Sequence, residues 1–324
     1  MTETPVENPV RIFLAISGAI LLFSLMNLFV KLATEQHALS QVMFFRNFIG
    51  MIPVVWLILH QKNPALFKTG NFSGHFVRGF VGFFSMCCVF WAYKVLPLAN
   101  ATAILFASPL ILTSLSVVLL DEKVGSHRWA AVIVGLAAVL FMLQPAGNGN
   151  VEGSLIAMCA AILMAFAMVS IRKLSRTEHS LTIVFYFSAF CSLMSGVWMI
   201  SEWTNPSALG LFYLVMTGLL GGVAQVFMTY AYAKAPAAYV SAFNYFGIII
   251  AAALDFMIWH HLPVWQVWVG SPLVISCGLY IVWREARKKY KPTTEVDVFG
   301  ISAKQDTLVT AIAPESPKDD QKSQ

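Results

Sequence analysis

A chain of 324 residues that is 58% hydrophobic and only 11% charged, with a mean hydropathy of +0.72, cannot cover a globule of its size with polar surface. Lipid is therefore its main solvent, and the length leaves no room for a sizeable soluble domain beside a full set of membrane helices. The formal net charge of +5 falls mostly in short segments between apolar runs, so it reports membrane orientation and gives no sign of a nucleic-acid surface.

A membrane helix needs about twenty mainly apolar residues. Runs of that kind lie at 12–32, 41–60, 76–95, 98–120, 128–144, 153–173, 180–200, 208–232, 237–259 and 264–283. Asn63-Pro64, Gly70, Pro97, Asp121-Glu122, Gly147 to Gly149, Asn205-Pro206 and Pro263 punctuate them. The first run is too long for a signal peptide and no small-residue cleavage site follows it. From Pro292 to Gln324 the chain turns polar and poor in aromatics, the composition of a disordered tail. Cys87 and Cys88 are neighbours, while Cys159, Cys191 and Cys277 stand alone in apolar runs. These are packing thiols, and no metal or cofactor is expected.

Ten spans put both termini on one side. With that side cytoplasmic, basic residues from Arg11, Lys62, Lys68 and Arg78 through Arg172, Lys173 and Arg176 to Arg284 and Lys291 gather there, against Lys31 and Lys94 opposite. The chain is expected in the cell (inner) membrane with both ends inside. Residues 1–11 and 285–324 are then cytoplasmic, the latter a basic stretch followed by the tail.

Sliding the chain over itself by 139 residues brings WAYKVLPLANA at 91–101 onto YAYAKAPAAYV at 230–240. Gly79 meets Gly218, Gly82 meets Gly221, Tyr93 meets Tyr232, Pro97 meets Pro236 and Trp129 meets Trp268. Leu, Ala and Ile pairs arise by chance between apolar helices, but Gly, Tyr, Pro and Trp at one offset across three helices do not. The repeat unit is five helices, 12–144 and again 153–284. Because five is odd, the second copy enters the membrane upside down. The expected fold is an all-α membrane protein, ten transmembrane helices as a 5+5 inverted repeat around a central cavity, which offers two near-equivalent packings and hence alternating access.

Tyr93, Pro97, Ala101, Pro109, Leu110, Asp121 and Glu122, with Trp129 to Met142 and the arginine of FFRN, Arg46, resemble the EamA branch of the drug/metabolite transporter superfamily. The resemblance spans about 12–284. It implies a carrier of small metabolites whose cavity is built largely from the third, fourth, eighth and ninth helices. It also implies substrates such as amino acids, riboflavin-like or S-adenosylmethionine-like compounds. His261 stands where Glu122 stands in the first repeat, and Ile248 replaces the proline matched by Pro109.

Arg46 is costly in a span, about 2.5–3.5 kcal/mol at a helix centre. It lies about five residues inside its run, roughly 7–8 Å deep, where snorkelling to the outer interface competes with a role as gate or anion contact. Asp255 is the one acidic residue well inside an apolar run; it is read either as pairing with Arg46 in an outer gate or coupling a proton, or as an end-of-helix residue reaching water. Its repeat mate is Ser116. Asn27, Gln225 and Asn244 are amides that must face another helix or a cavity. Trp91, Tyr93, Tyr232 and Tyr245, with Tyr230 and Phe243, occupy corresponding parts of the repeats, as cavity aromatics for a planar or heterocyclic solute or as packing. Gly79, Gly82, Gly218 and Gly222 suit close helix approach.

No G-x-x-x-x-G-K-[ST] loop is present to couple ATP, and no catalytic set stands at membrane depth, so an enzyme is not expected. The partners are a small-molecule solute, a coupling proton or ion and the bilayer; oligomeric state is not legible. The alternative to a secondary active transporter is a non-transporting membrane receptor or assembly subunit, which would not need inverted symmetry.

Overall fold

The computed structural model describes residues 9–119, 126–143, 150–234, 240, 246–260 and 265–286. Among these, every regular element is helical. In chain order they are α1 (Pro9–Thr34), α2 (Leu39–His60), a 3-10 turn (Pro64–Phe67), α3 (Phe72–Val95), α4 (Leu98–Leu105) and α5 (Ala107–Leu119). There follow α6 (Ser126–Leu143), α7 (Val151–Leu174), α8 (Ser180–Met199), α9 (Ala208–Lys234), α10 (Phe246–Trp259) and α11 (Trp265–Ala286). Among the described residues, seven helical stretches, one of them Leu98–Leu115 across α4 and α5, are long and apolar enough to cross a bilayer, and Trp129–Met142 and Phe246–Trp259 are shorter apolar ones.

Local chemistry sets several boundaries. Asn71 accepts from the Gly74 N–H at 3.0 Å and Asn150 from the Gly153 N–H at 2.8 Å, so each caps its helix at the third N–H. The first of these caps starts α3 at Phe72, four residues before the apolar run suggests. The fourth crossing, one continuous run in the sequence, is broken at Phe106 into α4 and α5. Pro109 has no N–H for the Leu105 carbonyl, and its ring crowds that oxygen.

Packing follows the duplication. Helix α1 lies along α9 as α7 lies along α3, and α2 packs on α9 as α8 packs on α3. Helix α2 faces α8 directly, α6 faces α11, and α4 faces α10. Replacing each crossing by the one five later leaves this pattern unchanged, as a pseudo-two-fold axis in the membrane plane requires. Tyr93 on the third crossing and Tyr232 on the eighth are an odd number of crossings apart, so their helices run oppositely.

At the α2–α9 crossing the backbones nearly touch. A Cβ on Gly50 would lie 3.1 Å from the Gly218 carbonyl oxygen, and one on Gly222 would lie 2.6 Å from the Gly50 Cα. This is the close approach that Gly218 and Gly222 promise. Leu14, Ile52, Trp56, Leu193, Val197 and Ile249 are exposed on the outside of the bundle. In water they would be a large apolar patch; in lipid they are the solvated surface.

Candidate substrate cavity

A cavity of about 270 Å³ lies among α1, α3, α4, α5, α7, α9 and α10, with single side chains from α2 and α8. The third, fourth, eighth and ninth crossings line it as expected. The first and sixth line it as well, through Ile20, Phe23 and Asn27 on one and Met164, Met168 and Ile171 on the other. On α3 the lining residues Arg78, Gly82, Ser85, Met86, Val89 and Tyr93 form one stripe at helical spacing. Trp91 falls on the opposite face of that helix. It is 39% exposed and sits beneath the Lys94 ammonium, 5.6 Å from the ring centre, so it is not a cavity residue.

Tyr93, Gln225 and Tyr232 do line the cavity. The Asn27 amide donates to the Tyr93 hydroxyl at 3.0 Å, joining α1 to α3 across it. Tyr230 is buried against Ala15, away from the lining. Asn244 and Tyr245, with Phe243, Asp121, Glu122 and His261, lie outside the described residues.

Arg46 lines the cavity seven residues into α2, about 10 Å along the helix. It is 6% exposed and does not snorkel to the interface. Its guanidinium donates to the Asn47 side chain at 2.8 Å and to the Gln225 amide oxygen at 3.1 Å. Arg78, counted above with the loop charges, is also a cavity residue, buried inside α3. The signal for it was present: Asn71-x-x-Gly74 caps the helix, which puts Arg78 nearly two turns in. Its guanidinium carbon lies 3.9 Å from the Phe187 ring centre, and that of Arg46 lies 5.7 Å from the same ring.

The repeat-matched glycines Gly82 and Gly221 make room for these cations. A Cβ on Gly82 would collide with Arg78 Nη1 and come within 2.6 Å of the Phe187 ring. A Cβ on Gly221 would strike Met26 Sδ at 2.7 Å and crowd Arg46 Nε at 3.3 Å. Gly82 therefore serves the cavity more than helix approach, whereas Gly79 fits against the Phe190 side chain of α8.

Asp255 does not pair with Arg46. Its carboxylate lies 3.9 Å from the Lys31 ammonium and accepts from the Ala99 N–H at 3.2 Å. Lys31 donates in turn to the Leu96 carbonyl at 2.9 Å and stands over the Trp259 ring, whose N–H reaches Glu35 at 3.2 Å. This knot ties the end of α1, the α3–α4 turn and the end of α10 on the side carrying the α1–α2 loop. Lys31 is thus a buried partner, not the loop charge it resembles in the sequence. On the other side Glu178, in the α7–α8 loop, accepts from Thr69 at 2.6 Å and Gly70 at 3.2 Å and faces His75 at 3.8 Å.

Two opposed five-crossing halves around a cavity near their shared axis, knotted by polar contacts at each end, are the architecture of a multi-pass membrane carrier. The sequence profile of the EamA-like transporter family matches residues 10–144 and again 151–284, and the chain belongs to that family. It is similar to the pseudopaline exporter CntI of Pseudomonas aeruginosa strain UCBPP-PA14, 29% identical over 80% of this chain and 89% of that one. The S-adenosylmethionine uptake transporter of Rickettsia prowazekii strain Madrid E is 27% identical over 79% and 86%. The riboflavin transporter of Rhizobium johnstonii is 28% identical over 60% and 65%. A solved crystal structure superposes with a TM-score of 0.64 at 19% identity, over 86% of this chain and 98% of that one, a likeness of fold alone.

Proposed function

We propose that this protein is a secondary active carrier of a small organic metabolite, which it holds in the central cavity and releases by alternating access. The observation that carries the reading is the pseudo-two-fold packing with the cavity between the halves, since such a scaffold has two packings of similar energy. Tyr93, Gln225 and Tyr232 are the substrate contacts, and a planar or heterocyclic solute or an amino acid suits them. The relatives named for S-adenosylmethionine and riboflavin support that class. The two repeats, 12–144 and 153–284, lie in the inner membrane with residues 1–11 and 285–324 cytoplasmic.

The Lys31–Asp255 knot is the gate on the non-terminal side. It must open for the cavity to face that way. Solute exchange by purified protein in proteoliposomes tests the carrier reading, and absence of exchange for every solute that binds would return it to a receptor. Asp255→Asn is expected to lower exchange at least tenfold. Unchanged rates would remove the gate.

A further inference from the structure

Among the described residues, two cations and no carboxylate line the cavity. Arg46 and Arg78 are 6% and 5% exposed, and both guanidiniums reach one ring, Phe187. Nε of Arg46 and both Nε and Nη1 of Arg78 meet no acceptor among the described residues. Buried charge is normally paired, because taking a guanidinium out of water without a counter-charge costs several kcal/mol. Lys31, another buried cation, obeys that rule with Asp255. Among the described residues, Arg46 donates to two side-chain amide oxygens and both arginines face the Phe187 ring. The Phe187 ring offers the Arg78 guanidinium a π face and no hydrogen-bond acceptor, so its Nε–H and Nη1–H remain for one. The missing side chain of Gly82 lets Arg78 fit, and that of Gly221 leaves space shared by Met26 and Arg46.

We propose that Arg46 and Arg78 together bind the oxyanion of an organic anion, a carboxylate or phosphate ester, so that the transported solute supplies the counter-charge the protein lacks. This rests on the cavity being the substrate site. The rest of the wall suits the body of such a solute: Met26, Met86, Met164, Met168 and Met228 give soft, adaptable contacts and Tyr93 and Tyr232 give aromatic ones. Arg46 and Arg78 repel each other, and a bound carboxylate offsets one of the two charges while a phosphate ester offsets about both. Binding should therefore steady the protein.

The test uses detergent-purified full-length protein and two matched pairs, indole-3-acetate with indole-3-acetamide and uridine monophosphate with uridine. At least one anion is expected to raise the melting temperature while its neutral partner does not. Arg46→Gln and Arg78→Gln should each weaken that anion about tenfold to a hundredfold, as loss of a charged hydrogen-bond partner does. Arg78→Lys should restore part of it. If Arg78→Gln does not fold, Arg46→Gln and the wild-type selectivity decide. Neutral partners binding as well as the anions, an anion shift that survives both substitutions, or no shift from either anion would overturn the proposal. A shift from phosphatidylglycerol micelles alone would give the arginines to a lipid headgroup and overturn the solute assignment. Anion binding without exchange in proteoliposomes would sink the carrier reading and leave the anion site standing. Exchange of the neutral partners only would do the reverse.

Discussion

Gly82 and Gly222 each stand one turn from a second glycine, and in the sequence both suggest helices in close contact. A Cβ at Gly222 would meet the backbone of Gly50, which cannot yield without moving α2 off α9. Gly222→Ala should cost about 1–3 kcal/mol, seen as a lower melting temperature in detergent. A Cβ at Gly82 would meet the far end of Arg78 and the edge of Phe187, which are side-chain atoms. Gly82→Ala should leave the melting temperature of the empty protein within a few degrees while weakening any anion that binds at Arg78; equal losses of stability in both variants would show that Gly82 is a packing residue after all. Hydropathy could not separate these glycines, because their difference lies in what stands across the gap.

Among the elements, the fourth crossing differs most from its sequence. From Leu98 to Leu120 the chain is mainly apolar and carries no charge, and Pro109 is the residue that marks the break the fold makes at Phe106. Leu105, Phe106 and Pro109 all line the cavity, so the break gives the wall a bend at the solute. Pro109→Ala restores a donor for the Leu105 carbonyl and should let α4 and α5 join. The expected result is an unchanged or higher melting temperature with exchange slowed several-fold. An unaltered exchange rate would mean that the bend is not used in transport. The α3 cap was more legible: Asn71 and Gly74 at N-cap spacing state where the helix begins, and so place Arg78 inside it.

For the whole molecule, the ends of the cavity are unlike even though the scaffold is symmetric. The α1–α2 side is tied by a buried ion pair, Lys31 with Asp255, and the opposite side by Glu178 with Thr69, Gly70 and His75. Exchanging the charges, Lys31→Asp with Asp255→Lys, should recover part of the exchange that either single change abolishes, measured in the same proteoliposomes. Failure of the double variant to recover any would show that the two positions act separately.

The sequence by itself determined the solvent, the crossings and the duplication, because each is a sum or a period read along neighbouring residues. An apolar window of twenty residues is a membrane helix whatever surrounds it, and an odd repeat must invert. The pairing of Arg46 with Gln225, of Lys31 with Asp255, and of both arginines with Phe187 was decided only by the tertiary structure. Those partners are far apart in the chain. Which of them meet depends on the rotation and crossing of whole helices, a property that no window of sequence contains.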